Sequence, residues 1–120
     1  MDRLRSRSEY LAAAKGVRAF RPSFVLQARR RDNLKAAPRF GFTVTRKVGN
    51  SVLRNRIRRR LKEIVRLEGT RASSGMDYVL IGRSGAANQP FADMAGDFAA
   101  ALNIVAAAAD KRPSSRDGAR

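Results

Sequence analysis

The residues of this 120-residue chain that could do chemistry are mostly basic, and the usual catalytic types are missing or scattered. The sequence has no histidine and no cysteine, which excludes histidine acid–base catalysis, a cysteine nucleophile and a histidine or cysteine metal site. Asp93 and Asp97 share a predicted helix face and could hold a cation, although a solvated face is the simpler interpretation. The carboxylates do not cluster as in a two-metal nuclease, and the glycines do not form a phosphate-binding loop. The chain is therefore predicted to bind rather than to catalyse.

The basic residues are distributed unevenly along the chain. There are 26 Lys and Arg against 10 Asp and Glu, which gives a net charge of +16. Residues 1–67 contain 20 of the basic and 4 of the acidic residues, so residues 68–120 are balanced. Self-repulsion of this size destabilises a compact chain unless a polyanion offsets it. A nucleic acid is the first candidate partner, through neutralisation of its phosphates, and an anionic membrane surface is the second.

The densest basic segment, residues 45–66, has the periodicity of a helix. Nine of its residues are Arg or Lys, and only Glu63 is acidic. Apolar residues recur at helical spacing through residues 52–67, at Leu53, Ile57, Leu61 and Ile64. A disordered basic tract lacks such a stripe, so we predict a helix that packs by its apolar face and presents its arginines to phosphates. Arg60 falls close to the stripe and is expected to reach water past its own apolar stem.

Weaker patterns predict the elements that hold this helix in place. They are a helix at 6–16, strands at 23–31, 40–47 and 77–83, and a helix at about 90–110. The first two strands are expected to pair as an antiparallel hairpin that buries Phe24, Leu26, Phe40, Phe42 and Val44. The result is a single small α+β domain, a sandwich of helices on a small mixed sheet. The lack of cysteine and of an apolar run near the roughly 20 residues of a membrane span favours a cytoplasmic protein with no membrane partner.

Residues 41–63, GFTVTRKVGNSVLRNRIRRRLKE, resemble the signature of the bacterial ribonuclease P protein component. That family has a strand ending in two basic residues, then a Gly-Asn turn, then Arg-Asn-Arg opening a helix. Here these are Arg46-Lys47, Gly49-Asn50 and Arg54-Asn55-Arg56. RLRSRSEYLAAAKG, SFVLQAR and DYVLIGR also resemble the family's opening helix, first strand and later strand, so the resemblance covers about residues 3–111.

The resemblance implies both a fold and a function. The fold is α-β-β-(β)-α-β-α with a left-handed β-α-β crossover, in an RNA-binding domain at 1–111 followed by a disordered basic tail at 112–120. The function is that of a subunit of a ribonucleoprotein that removes 5′ leaders from precursor tRNA. In that family the RNA subunit cleaves, using Mg²⁺, and the protein binds the RNA subunit and the precursor tRNA; no protein partner is implied.

Two RNA-facing surfaces follow from the resemblance. The first, on the basic helix and the turn before it, comprises Arg46, Lys47, Asn50, Arg54, Asn55, Arg56, Arg58, Arg59 and Lys62. The second, a cleft between the opening helix and the sheet that would hold the single-stranded leader, comprises Tyr10, Val25, Gln27, Arg29, Thr43 and Thr45. Stacking of an unpaired base on Tyr10 would suit sequence-tolerant binding. Ala14 and Gln27 stand where the family can have further aromatic residues, so leader stacking is expected to depend more on Tyr10.

Other interpretations of the same residues stay open at this point. The helix could enter the major groove of DNA as well as pack on folded RNA, and a ribosomal or other structured-RNA-binding protein would show the same charge pattern. Tyr10 could be a core aromatic, and Thr43 and Thr45 ordinary exposed strand residues. A nuclease acting without an RNA subunit would need a metal held by acids such as Asp77 or Asp93.

Overall fold

The structure is a computed structural model that describes residues 2–111. The predicted tail at 112–120 lies outside the described residues. In chain order the elements are β1 (Asp2–Arg3), α1 (Arg7–Ala14), β2 (Val17–Phe20), β3 (Phe24–Arg30), β4 (Arg39–Thr43), α2 (Ser51–Glu68), β5 (Met76–Gly82) and α3 (Phe91–Lys111). The three helices and three strands predicted from the sequence are all present. β2 is the additional strand that only the resemblance implied.

The five strands form one mixed sheet in the order β1-β4-β5-β3-β2. β4 is parallel to β5 and to the short β1, whereas β3 is antiparallel to both β5 and β2. The predicted hairpin between the strands at 23–31 and 40–47 is therefore wrong, because β5 lies between them and β3 forms its hairpin with β2. The physical reason is that β5 is apolar on both faces, at Tyr78, Val79 and Leu80, and gains most from the central position.

α2 connects the parallel neighbours β4 and β5, as a β-α-β unit requires. β4 ends at Thr43, earlier than predicted, and residues 46–48 form a single 3₁₀ turn before Asn50 caps α2. The left-handed sense of this crossover remains a prediction from the resemblance.

The helices cover the two faces of the sheet unequally. α2 and α3 pack on one face over the main core, which includes Phe24, Leu26, Phe40, Tyr78, Leu80, Ile57, Leu61, Met94 and Phe98. The rings of Phe40 and Tyr78 stack there with their centroids 5.1 Å apart. α1 packs on the opposite face, where Ala13 and Leu4 join Val79 in a second, smaller cluster. The sheet therefore separates the basic helix from the opening helix.

α3 is long and apolar enough, by length and composition alone, to qualify as a membrane span. A core helix of a globular domain passes the same test. Here Met94, Phe98 and Val105 are fully buried in the main core, so the apolar stripe of α3 is accounted for by packing.

A buried ion cluster fixes the position of α1 on the sheet. Asp77 on β5 is only 1% exposed, and its two carboxylate oxygens accept hydrogen bonds from Nε and Nη2 of Arg39, each at 2.8 Å. Nε of Arg31 lies 3.1 Å from the same carboxylate. Arg39 also donates from Nη1 to Glu9 on α1, which in turn forms a capping box with Ser6. Asp77 therefore joins two strands and a helix, and it is not free to hold a metal.

Candidate nucleic-acid interface

The apolar stripe predicted for the basic helix is confirmed. Ile57, Leu61 and Ile64 are fully buried against the sheet and α3, and Leu53 is partly buried beside them. The side chain of Asn50 caps the helix by accepting a hydrogen bond from the backbone N–H of Leu53 at 2.9 Å. Because the stripe fixes the rotation of α2, its basic side chains are held on the outer surface.

The basic residues predicted to bind RNA have no acidic partner within the described residues. They are Arg46, Lys47, Arg54, Arg56, Arg58, Arg59 and Lys62, and none of them takes part in an ion pair. Six other arginines, Arg21, Arg30, Arg31, Arg39, Arg66 and Arg71, each pair with an Asp or Glu. Seven basic side chains without an acidic partner in the described residues thus lie on α2 and the turn that precedes it, where their charge attracts phosphate.

Three of these arginines are oriented by hydrogen bonds that leave part of the guanidinium free. Arg54 donates from Nε to the carbonyl of Gly49 at 3.2 Å, and Arg56 donates from Nε to the carbonyl of Ala87 at 2.9 Å. Arg58 donates from Nη1 to the side-chain oxygen of Asn55 at 3.1 Å. In Arg54 and Arg56 both Nη groups stay available, so each presents a pre-oriented pair of donors of the kind that grips phosphate.

The remaining basic residues of the set are less constrained. Arg46, Lys47 and Arg59 are exposed and make no hydrogen bond or ion pair to other described residues. Lys62 is exposed, with Nζ 6.0 Å from the ring centroid of Phe42. Arg46, Lys47 and Arg59 can move onto a polyanion without breaking a hydrogen bond or an ion pair of their side chains.

Arg60 does not extend to water as the sequence suggested. Its guanidinium lies 5.8 Å from the ring centroid of Phe91, and Nη2 donates to the carbonyl of Gln89. Arg60 therefore docks α2 onto the start of α3 and holds the basic surface in place. Its nearness to the apolar stripe was the only sequence signal for this role.

The second predicted surface lies on the sheet face that α1 covers. Tyr10 is partly buried there, with the hydroxyl end of its ring over Gly41, where a Cβ atom would come within 2.7 Å of the ring. Glycine at this position of β4 therefore makes the space that Tyr10 occupies. Tyr10 belongs partly to the α1 cluster and keeps part of its side chain at the surface.

The pairing register arranges the residues of this face in rows across the strands. Gly41, Val79, Gln27 and Arg18 form one row, and Thr43, Ile81, Val25 and Phe20 form the next. In the first row α1 buries Val79 and leaves Gln27 only 6% exposed. The second row, which we call the open row, is partly buried at Thr43, Ile81 and Val25 and exposed at Phe20.

The predicted cleft residues therefore share one sheet face but differ in access. Val25 and Thr43 lie in the open row, and Thr45 is exposed just beyond the end of β4. Gln27 has little surface to offer, and Arg29 lies opposite Asp77, two rows from Val25. Phe20 was not predicted, because VRAF between Gly16 and Arg21 is too short to indicate a strand.

Comparison with known proteins decides the family. The family model described as ribonuclease P matches residues 1–106. The chain belongs to the ribonuclease P protein family. It is 50% identical over 97 residues to the ribonuclease P protein component of Gluconacetobacter diazotrophicus, covering 79% of this chain and 83% of that one. It is 44% identical over 112 residues to that of Paramagnetospirillum magneticum, covering 89% and 84%.

Solved structures agree with this assignment at the level of the fold. The ribonuclease P protein of Staphylococcus aureus superposes with a TM-score of 0.72 at 23% identity, covering 87% of this chain and 94% of that one. The protein from Thermotoga maritima gives 0.70 at 26% identity, covering 88% and 96%. The predicted α+β architecture and family are both confirmed.

The ribonuclease P protein component is a subunit of an endoribonuclease holoenzyme that matures the 5′ ends of tRNA, and it works with an RNA subunit. This family assignment is not consistent with the two alternatives from the sequence, a ribosomal protein and a nuclease that acts without an RNA subunit. A compact globular member of this bacterial family is a soluble intracellular protein.

Proposed function

We propose that this ribonuclease P protein divides its RNA contacts between two surfaces at one edge of the sheet. α2 and the turn before it bind the RNA subunit, and the open row with Tyr10 binds the single-stranded 5′ leader of precursor tRNA. The observation that carries the proposal is the set of seven basic side chains without an acidic partner in the described residues. Six other arginines are paired with acids, whereas this set lies together on α2 and the turn before it, so it is best accounted for by an external polyanion.

The connectivity supports a joint role for the two surfaces. β4 and β5 are parallel, so their carboxyl ends, at Thr43 and Gly82, meet at the same edge of the sheet. The open row lies at this edge, and the chain passes from Thr43 directly into the basic turn at Arg46–Val48. A leader in the cleft would thus lie close to RNA bound by the start of α2.

We further propose that the cleavage chemistry lies in the RNA subunit and that Mg²⁺ acts there. This rests on the family resemblance. On the protein side, the described residues contain no group of three His, Cys, Asp or Glu side chains arranged to hold a metal. Asp77 and Asp97 are paired with arginines. In this proposal the protein's own residues bind and orient RNA in the cytoplasm.

The first experiment tests α2 as the docking surface. Binding of the ribonuclease P RNA subunit is measured against salt concentration for Arg59→Ala and for Arg56→Ala. Each lost phosphate contact should flatten the log–log slope by about 0.7 to 0.9. Arg66→Ala is the matched control, because Arg66 lies on the same helix but pairs with Glu63. If all three variants keep the wild-type slope, α2 is not the docking surface.

The second experiment tests the cleft with reconstituted holoenzyme at low Mg²⁺. Tyr10→Ala should weaken binding of leader-bearing precursor tRNA by roughly 1–3 kcal/mol if an unpaired base stacks on the ring. Binding of mature tRNA, which lacks the leader, should not change. Tyr10→Phe keeps the ring and should behave like wild type. Equal losses for both tRNAs would show a folding defect and not a leader contact.

A further inference from the structure

The aromatic residue with the greatest exposure lies in the open row. Of the eight Phe and Tyr residues, seven are buried or partly buried, whereas Phe20 on β2 is 65% exposed. Ala19, its neighbour, packs in the main core, so Phe20 points to the α1 face of the sheet. An apolar ring of this size would gain about 1.5–3 kcal/mol from full burial, and the domain leaves most of that surface in water.

The surroundings of Phe20 are basic and open. Arg18, two residues earlier on the same face, donates from Nη2 to the carbonyl of Ala14 at the end of α1. Arg83 donates from Nη1 to the carbonyl of Arg21, the residue after Phe20. Within the described residues neither guanidinium forms an ion pair. An exposed aromatic near unpaired arginines matches single-stranded RNA, which offers base faces and phosphates together.

We infer that Phe20 is a second aromatic platform for the leader, at the far end of the open row from Thr43. This inference rests on the proposed leader cleft and adds a residue outside the family pattern. It compensates for Ala14 and Gln27, which have no aromatic ring at the positions where the family can carry one. Three strand-to-strand steps of about 4.8 Å separate β4, beneath Tyr10, from β2, so the strand under Tyr10 and the strand that carries Phe20 lie about 14 Å apart. The two rings would therefore contact different leader nucleotides.

The test uses holoenzyme reconstituted with its RNA subunit and precursor tRNAs with long or one-nucleotide leaders. Phe20→Thr removes the ring and keeps a residue that favours strands, and Phe20→Trp retains a stacking surface. Ile104→Ala is the matched control, because Ile104 is an exposed apolar residue on α3, on the other side of the sheet. Phe20→Thr should weaken long-leader binding about 5- to 20-fold and leave one-nucleotide-leader binding unchanged. Phe20→Trp and Ile104→Ala should both match wild type.

Leaders with single abasic sites separate this inference from the proposed cleft. In wild type, removing the base that stacks on Phe20 should weaken binding, and in Phe20→Thr the same abasic site should have no further effect. Tyr10→Ala should remove the penalty at a different leader position. If Tyr10→Ala shows leader dependence and Phe20→Thr does not, the role of Phe20 is refuted and the cleft stands. If neither variant shows it, both proposals fall.

Discussion

Replacing Asp77 with Asn should destabilise the domain strongly, because the buried carboxylate of Asp77 is shared by two half-buried arginines. Its side chain is 1% exposed, and those of Arg39 and Arg31 are 24% and 15% exposed. Removing one partner of a buried pair costs about 3–5 kcal/mol, since the remaining charge is left uncompensated. Arg39 keeps partial access to water and its contact with Glu9, so we expect the lower end, about 3 kcal/mol. At about 4 °C per kcal/mol for a chain of this length, the melting temperature should fall by about 12 °C.

Thermal melts in a fixed sulfate concentration measure this loss, because an anion offsets the self-repulsion of the +16 chain equally in each variant. Asp93→Asn is the matched control: it makes the same charge change at an exposed site, in the first turn of α3, and should cost less than about 1 kcal/mol. A double-mutant cycle with Arg39→Met should give a coupling energy of about 1–3 kcal/mol.

Two results would refute the reasoning. A loss for Asp77→Asn no larger than for Asp93→Asn would mean that the ion cluster does not hold α1 and the sheet together. A coupling energy near zero would mean that Asp77 does not act through Arg39. Precursor tRNA cleavage adds an independent readout: well below its melting temperature, holoenzyme containing Asp77→Asn should remain active, since we assign Asp77 a structural role.

Three further predictions concern Glu9 on α1 and two glycines, Gly96 and Gly16. Hydrogen bonds from the backbone N–H of Ser6 and of the residue before it lower the pKa of Glu9 to about 2, so its stabilisation is complete above about pH 4.5 and is lost as the pH falls towards 2. Glu9→Gln should therefore be less stable by about 1 kcal/mol at pH 7, and urea denaturation should show this difference vanishing near pH 2. Gly96→Ala, in open space on α3, should stabilise the domain by about 0.5–1 kcal/mol in urea denaturation. Gly16→Ala should instead destabilise it, because the added Cβ would lie 1.9 Å from the carbonyl oxygen of Ala28.

The sequence predicts best the elements whose residues repeat with a clear period. α2 was predicted with its buried stripe, because Leu53, Ile57, Leu61 and Ile64 are spaced for one helix face. The faces of β4 were also predicted, since Phe40 and Val44 alternate with Gly41 and Thr43. The period of the apolar residues indicates which side chains share one face of an element, and tertiary packing then buries that face.

The same periodicity does not predict which strands are neighbours in the sheet. The alternation of apolar residues in β3 and β4 indicates which face of each strand is buried, but it does not indicate which strand is its neighbour in the sheet. The two strands were predicted to pair because they are consecutive in the chain. The pairing is decided by β5, which is distant in sequence and apolar on both faces. Phe20 was missed for a related reason: β2 has only four residues, and its place in the open row depends on the register with Val25 and Ile81.

The structure shows which of the unevenly distributed charges are paired with one another. Residues 68–120 are neutral in sequence, yet three of their acids pair with arginines of the first half. Asp77 pairs with Arg39, and two of the three acids on α3 pair likewise with strand and turn arginines, Asp97 with Arg21 and Asp110 with Arg30. Part of the excess charge of the first half is therefore cancelled at the sheet.

What stays uncancelled within the described residues includes the set on α2 and its preceding turn, because the two acids of α2, Glu63 and Glu68, are engaged by Arg66 and Arg71. A surface built for solubility would mix both signs along this helix. Folding instead pairs Arg30 and Arg39 of the sheet with acids and leaves most arginines of α2 unpaired, so the RNA surface depends on the positions of the acids as well as of the arginines. Introducing one Asp or Glu on the exposed surface of α2 should accordingly weaken RNA binding more than removing one arginine. The new carboxylate both lowers the net charge of the helix and forms an ion pair with a neighbouring arginine that would otherwise bind RNA.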